Sequence, residues 1–233
     1  MLNPAMTVSD EDTMRRCFAL AGQSAKQGEY PYAAIIVRNG IVVTETTNAV
    51  ARDRDVTRHA ELVAICQAQE TLASTDLSDC TIYANMEPCV FCSYAIRESR
   101  IARVVFSLRS PVMGGTARWN ILGDRVLSDT MPEVFAPPPV IVPEFLCEEA
   151  AVALERSAPL AWRFMQSRGL VATSSPQGAG LDPTNAGTVQ RAYGFGGVAE
   201  WIMRILRKNF FDRFGRGGGN RRPRAGKNVK PFP

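Results

Sequence analysis

Several features that would define a function by themselves are absent from this chain of 233 residues. No apolar run is long enough to span a bilayer, and the first residues lack the charged and apolar regions of a signal peptide. We therefore expect a cytoplasmic protein without a transmembrane segment. Histidine is nearly absent, because His59 is the only one in the sequence. A site that requires a histidine has a single candidate.

Cysteine is too sparse for the disulfide framework of a small secreted protein, since the chain has six. In a reducing compartment, closely spaced cysteines indicate a metal site or a redox motif, and only Cys89 and Cys92 are closely spaced. The other four lie in or beside amphipathic elements. There we expect them to be buried as small apolar side chains: Cys17, Cys66, Cys80 and Cys147.

Acidic residues are scarce in the last quarter of the chain. Residues 1–170 hold 16 Lys and Arg against 20 Asp and Glu, a net charge of −4, whereas residues 171–233 hold 11 against 3, a net charge of +8. A net negative body argues against a main surface that follows a phosphate backbone. The basic tail is therefore the candidate for contact with nucleic acid, which we do not favour as the main partner.

Helical spacing of apolar residues predicts four helices in the first 170 residues. Ser9 and Asp12 form a capping box ahead of the first helix. Thr57 is the predicted cap of a second helix, and a third follows Pro88. A fourth helix is expected over residues 144–156.

Short apolar runs predict five strands, over residues 33–37, 41–43, 81–84, 104–106 and 140–142. The first two form a hairpin, because Asn39 and Gly40 between them are typical turn residues. From Arg109 to Pro139 the pattern weakens, which predicts a long loop with a short helix at most. The order of elements predicts one α/β domain over residues 1–170. We expect a three-layer α/β/α sandwich, with helices on both faces of a mixed five-stranded sheet.

Beyond about Leu170 the composition changes to that of a linker, with 11 of the 18 glycines of the chain. For residues 171–233 we predict a linker, a short amphipathic helix and a disordered basic tail. The helix, over Val198–Phe214, has apolar residues along one face and basic residues elsewhere. Three roles stay open for it: binding a membrane surface or a partner helix, docking on the domain, or none.

Two short motifs carry the chemistry. His59-Ala60-Glu61 opens the second predicted helix, and a Pro-Cys-x-x-Cys motif with Cys89 and Cys92 opens the third. Two cysteines at this spacing lie about 60° apart around a helix axis, so both sulfurs can meet one ion. Zinc then needs a third nitrogen or sulfur ligand, and a catalytic zinc site leaves its fourth position open. The sequence therefore predicts Zn²⁺ bound by His59, Cys89 and Cys92.

Glu61 is the predicted catalytic residue. It lies two positions after His59, about 200° around an ideal helix, so the two side chains converge only if His59 belongs to an irregular opening turn. A carboxylate beside a metal but not bound to it can act as general base and general acid. His-x-Glu together with Pro-Cys-x-x-Cys is the signature of zinc-dependent deaminases. A redox pair or part of a structural zinc site is the alternative for the cysteines, but neither has a use for Glu61.

From about Ser9 to Arg168 the chain resembles the cytidine deaminase-like superfamily, in the branch with Pro-Cys-x-x-Cys that includes guanine, cytosine and tRNA adenosine deaminases. The resemblance implies the same three-layer fold, the same zinc ligands, and Glu61 as proton shuttle. It also implies that Asn48, at the end of the second strand, and the backbone at Ala60 contact the substrate. We further expect a homodimer.

Two features depart from that family pattern. Arg58 precedes the histidine where a small residue is usual, so it is a candidate for reaching an anionic or carbonyl group, or else a solvated side chain. The loop after Phe106 differs from that of the tRNA enzymes and leads to Trp119. Trp119 is a candidate for stacking on a base, or else packs under its own loop.

We therefore expect a zinc-dependent hydrolytic deaminase of a small amino-bearing nucleobase or nucleoside, which releases ammonia. Deamination of adenosine in tRNA is the alternative, and the basic tail would support it. Outside enzymes, the alternative is a zinc-bearing binding protein without turnover.

Overall fold

The computed structural model describes residues 8–117 and 119–174, all within one compact unit. Its elements, in chain order, are α1 Asp10–Lys26, β1 Ala33–Arg38, β2 Ile41–Thr47, α2 Val50–Asp53, α3 Ala60–Leu72, β3 Cys80–Met86, α4 Val90–Glu98, β4 Arg103–Leu108, α5 Arg125–Thr130, β5 Val140–Val142, α6 Cys147–Ser157 and α7 Pro159–Ser167. The predicted helix at Val198–Phe214 and the basic tail lie outside the described residues. In the described part of the chain, no helix is both long and apolar enough to cross a membrane.

The five strands form one mixed sheet in the order β2-β1-β3-β4-β5. β1 is antiparallel to β2 and to β3, whereas β3, β4 and β5 are parallel. Because successive side chains of a strand point to opposite faces, each central strand contributes to two cores. Ile36, Ile82 and Phe106 pack with α3 and α4, and Ile35 and Val105 pack with α1. The predicted α/β sandwich with helices on both faces is confirmed.

Ser9 is the cap residue of α1, as predicted. Ser9 Oγ accepts a hydrogen bond from the Asp12 amide at 3.0 Å. At the same end, Asp10 accepts hydrogen bonds from Tyr83 and from Arg103, which lie on β3 and β4. These contacts attach the start of α1 to two inner strands of the sheet.

Three predictions about the elements are wrong. Thr57 does not cap the second long helix, because α3 begins three residues later, at Ala60, with His59 in the cap position. The fourth predicted helix begins at Cys147 rather than at residue 144, since the left-handed backbone of Glu144 and Leu146 cannot start a helix. Cys66 is exposed on the outer side of α3.

Two short helices have no sequence prediction. α2 is a single turn, and α7 follows α6 directly, with its proline at the first turn. α6 and α7 pack together through Leu154, Trp162 and Met165. Contacts continue just past Leu170, because Val171 is buried and the backbone of Ala172 pairs with that of Arg109.

Candidate active site

Three metal-ligating side chains meet where α3 and α4 begin. The Nδ1 atom of His59 lies 3.5 Å from Cys89 Sγ and 3.4 Å from Cys92 Sγ, and the two sulfurs are 3.5 Å apart. Ligands at tetrahedral angles around a zinc ion lie roughly 3.6 to 3.8 Å from each other, given ordinary Zn–N and Zn–S distances. The observed triangle of one nitrogen and two sulfurs therefore fits zinc in size and in donor type.

The local backbone explains how these residues converge. His59 and Cys89 occupy the N-cap positions of their helices, with extended φ and ψ of −65° and 146° for His59 and −67° and 169° for Cys89. The cap residue lies outside the helical spiral, so the separation of about 200° expected for His59 and Glu61 on a regular helix does not apply. His59 thus lies in the irregular opening turn that the convergence of the two side chains requires.

The electrostatics of the cluster favour a bound cation. Hydrogen bonding from Cys92, and then from His59, lowers the pKa of Cys89 to about 4, so its sulfur is a thiolate at neutral pH. The thiolate of Cys89 in turn raises the pKa of Cys92 and, through its hydrogen bond, that of His59. A zinc ion would hold these three groups as two thiolates and a neutral imidazole.

Glu61 lies beside this triangle and is not a member of it. Among the described residues, His59, Cys89 and Cys92 are the group of potential ligands whose donor atoms lie within 4.8 Å of one another. Glu61 Oε2 is 3.5 Å from Cys92 Sγ, and the side chain is buried. Burial, and then the charge of Cys89, raises the pKa of the Glu61 carboxyl to about 7. A carboxyl group with a pKa near neutrality can both accept and donate a proton.

Asn48 is buried and is held by a residue that the sequence did not reveal. Its side-chain nitrogen donates to Glu29 Oε1 at 2.9 Å, and its backbone nitrogen donates to the carbonyl of Tyr32. Glu29 is itself buried and accepts three further hydrogen bonds, from the backbone nitrogens of Tyr30, Ala51 and Arg52. Glu29 therefore fixes both the amide of Asn48 and the start of α2. No periodicity or motif distinguishes Glu29 in the sequence.

A second buried carboxylate, Glu87, organises the loop beside the metal ligands. It precedes Pro88 and accepts hydrogen bonds from the backbone nitrogens of Ser110 and Thr116. Gly115 then approaches the ligand turn closely, donating its N–H to the Pro88 carbonyl at 2.9 Å. A Cβ at Gly115 would lie 1.8 Å from Ser93 Oγ, so the approach requires glycine. The position of Glu87, directly after a buried strand, was the available signal.

The remaining predicted substrate residues differ in their surroundings. Ala60 is fully buried at the first turn of α3, and its carbonyl accepts from Thr46. Arg58 is exposed and lies 3.3 Å from the carboxylate of Asp55. Trp119 is 56% exposed. The substrate contacts of Asn48, Ala60, Arg58 and Trp119 stay predictions.

Comparison with known proteins gives the family. Residues 7–108 match the family model described as the cytidine and deoxycytidylate deaminase zinc-binding region. A tRNA-specific adenosine deaminase of Aquifex aeolicus is 38% identical over 109 residues, which are 46% of this chain and 72% of that enzyme. Two longer curated relatives match over only 8% and 18% of their own length.

Solved structures agree on the fold. A chain from a study of A-to-I editing by tRNA:A34 deaminases is 26% identical with a TM-score of 0.53, over 62% of this chain and 99% of that one. A guanine deaminase from Nitrosomonas europaea is 23% identical with a TM-score of 0.53, over 64% of this chain and 85% of that one. The family match and the ligand triangle agree, so the chain belongs to the cytidine deaminase-like superfamily, as a zinc-dependent hydrolase of the class that acts on carbon–nitrogen bonds other than peptide bonds.

Proposed function

We propose that the protein is a hydrolytic deaminase that exchanges the exocyclic amine of a nucleobase for oxygen and releases ammonia. The observation that carries this proposal is the position of Glu61, buried and 3.5 Å from a metal-binding sulfur but outside the ligand triangle. A zinc-bearing binding protein without turnover would have no use for such a carboxylate. Its burial would require a separate explanation, because a lone carboxylate is costly to bury.

The residues divide the work as follows. His59, Cys89 and Cys92 would hold zinc, which when bound polarises water and lowers its pKa toward neutrality. Glu61 accepts the proton of the attacking water and delivers it to the exocyclic nitrogen, which leaves as ammonia. Asn48 and the backbone at Ala60 hold the ring. Because Asn48 donates to Glu29, its amide is already oriented before the substrate binds.

Adenosine within tRNA is the first substrate candidate. The relative that supports it is the tRNA-specific adenosine deaminase of Aquifex aeolicus, at 38% identity. Adenosine in tRNA ranks above the small-molecule substrate that the composition favoured. Similarity to an enzyme over 72% of its length is stronger support than net charge.

A free base or nucleoside is the second candidate. Two observations favour it. Residues 1–170 carry a net charge of −4, and the loop that follows Phe106 differs in sequence from that of the tRNA enzymes. Contact with nucleic acid through the basic tail, a cytoplasmic location and a homodimeric state also stay predictions.

The test is to assay the zinc-loaded full chain for ammonia release from a panel of bases and nucleosides, and for inosine formation in tRNA. Glu61→Ala should abolish whichever activity is found, whereas Glu70→Ala, a matched change at an exposed position of the same helix, should not. Activity on tRNA should fall steeply with salt, because each phosphate contact releases counterions, and activity on a neutral base should not. A zinc-loaded chain inactive in both assays would overturn the proposal in favour of a binding protein.

A further inference from the structure

A buried guanidinium lies in the last turn of α4, the helix that carries Cys92. Arg97 is 1% exposed, although arginine is rarely buried unless it is paired. Desolvation lowers its pKa, which the charge of Asp124 partly offsets, and the groups that accept hydrogen bonds from its nitrogens are neutral. Burying this side chain to fill space would be unfavourable compared with an apolar side chain of similar size. The hydrogen bonds of Arg97, rather than the space that it fills, therefore indicate its role.

All the hydrogen-bond partners of Arg97 belong to the loop that follows β4. The Nη1 atom of Arg97 donates to the carbonyls of Ile121 and Asp124 at 2.9 and 2.8 Å. The Nη2 atom donates to Ser128 Oγ at 2.6 Å and to the carbonyl of Ala136 at 3.0 Å. The planar guanidinium of Arg97 thus joins Ile121 and Ala136, which are 15 residues apart. Helix α5 lies between these two residues.

A short chain of hydrogen bonds leads from this loop to the metal ligands. The amide of Leu122, the residue after Ile121, donates to the carbonyl of Gly115 at 2.8 Å, and Gly115 donates to the carbonyl of Pro88 at 2.9 Å. Pro88 is bonded to the ligand Cys89. Trp119, a predicted substrate contact, lies within the same stretch.

We propose that Arg97 is a positioning residue: it holds the segment 121–136 on the metal-binding helix and thereby fixes residues 113–117 and 119–122 beside the ligand turn. This proposal concerns how the substrate side of the site is shaped. Its effect on substrate binding rests on the proposed deaminase function, but its effect on the loop does not.

Hydrogen exchange of the zinc-loaded full chain tests the loop directly. Arg97→Met keeps an unbranched apolar stem and removes every donor. We expect exchange of amides in 121–136 to rise at least about tenfold, with little change in β3 and β4 and with zinc content unaltered. Arg100→Met, the same change at an exposed arginine two residues beyond the end of α4, should leave exchange in 121–136 unaltered. Ser128→Ala removes one acceptor and should raise exchange in the same segment by a smaller factor.

Two results would overturn the proposal. One is unchanged exchange in 121–136, and the other is a rise spread equally over the sheet, which would make Arg97 part of general packing. If Arg97→Met does not fold, Ser128→Ala decides by the same criteria.

Kinetics supply a measurement that general packing would not change, once a substrate is identified. Arg97→Met should raise KM about tenfold with kcat changed by less than about threefold, and Arg97→Lys should recover part of the loss. A fall in kcat together with loss of zinc would contradict a positioning role. Absence of any activity in the unaltered chain would reject the proposed function and leave the exchange result standing.

Discussion

The helices of this protein begin in two different ways. α1 starts with a hydrogen bond from the Asp12 amide to Ser9 Oγ, the most favourable kind of start for an isolated helix. α3 and α4 start with His59 and Cys89, which make no side-chain hydrogen bond to the helix. Among the described helices, α2, α6 and α7 also lack a side-chain cap, but α3 and α4 are the two whose cap residues are metal ligands.

In α1 the cap position stabilises the helix, whereas in α3 and α4 it is used to build the metal site. A cap residue has extended backbone and lies outside the helix, so its side chain can point away from the helix axis. In α1 that freedom stabilises the helix, whereas in α3 and α4 it directs a nitrogen and a sulfur to a common point. α2 is a third case, because its cap residue Ala49 has no side-chain bond and the distant Glu29 accepts from its first amides.

The largest expected effect concerns Glu61, at the start of α3. Glu61→Gln keeps the size of the side chain but removes its ability to carry a proton. Turnover should fall roughly 10²- to 10⁴-fold, because that is the usual contribution of a general acid–base residue. Steady-state kinetics with the substrate found by the assays above provide the measurement. Near-normal turnover would remove Glu61 from the mechanism.

A smaller effect is expected at Glu29, which holds Asn48 and the start of α2. Glu29→Gln replaces one acceptor oxygen by a donor, which opposes the N–H groups that point at it. KM should rise about tenfold while zinc content stays constant, since a misplaced Asn48 weakens binding rather than proton transfer. Glu45→Gln, at a carboxylate paired with Arg16, is the control. Equal KM values for both variants would contradict the positioning of Asn48.

Exchanging the two kinds of helix start should change stability in opposite directions. Ser9→Ala should lower the free energy of unfolding by about 1 kcal/mol, because it removes the cap of α1, and leave zinc binding unaltered. Cys89→Ser should weaken zinc binding, yet raise the free energy of unfolding of the metal-free protein by up to about 1 kcal/mol, because serine can cap α4. Urea unfolding in the presence of a chelator measures both. If Cys89→Ser lowered the free energy of unfolding of the metal-free protein, serine at this position would not cap α4.

The smallest effect is a pH dependence at the start of α1. The hydrogen bond from Arg103 holds the pKa of Asp10 below its usual range. Its contribution to stability is therefore fully present above the ordinary pKa of an aspartate and is lost as the pH falls through the lower pKa of the folded state. Asp10→Asn should abolish that part of the acid dependence in unfolding curves measured below pH 5. An acid dependence unaltered by Asp10→Asn would show that the contact with Arg103 is without effect on stability.

The sequence predicted the parts that follow local rules. The strands, the start of α1 at Ser9 and each of the two short motifs of the metal site depend on spacing within a few residues. The predicted cap of α3 was wrong because Asp55 accepts hydrogen bonds from the amide and hydroxyl of Thr57 in a local turn, and a turn of that kind has no sequence period. Glu29 and Arg97 could not be identified, because their partners other than Tyr30 lie 19 to 39 residues away and are mostly backbone groups, which every residue has.

Zinc content is the measurement that tests the account most directly. Cys92→Ala and Glu61→Ala should be purified in the same way and their zinc per chain measured beside the unaltered protein. Glu61→Ala should retain about one zinc per chain and Cys92→Ala should lose it, because Cys92 belongs to the ligand triangle and Glu61 lies outside it. Loss of zinc from Glu61→Ala, or full retention by Cys92→Ala, would contradict the assignment of the metal site and of the proton shuttle.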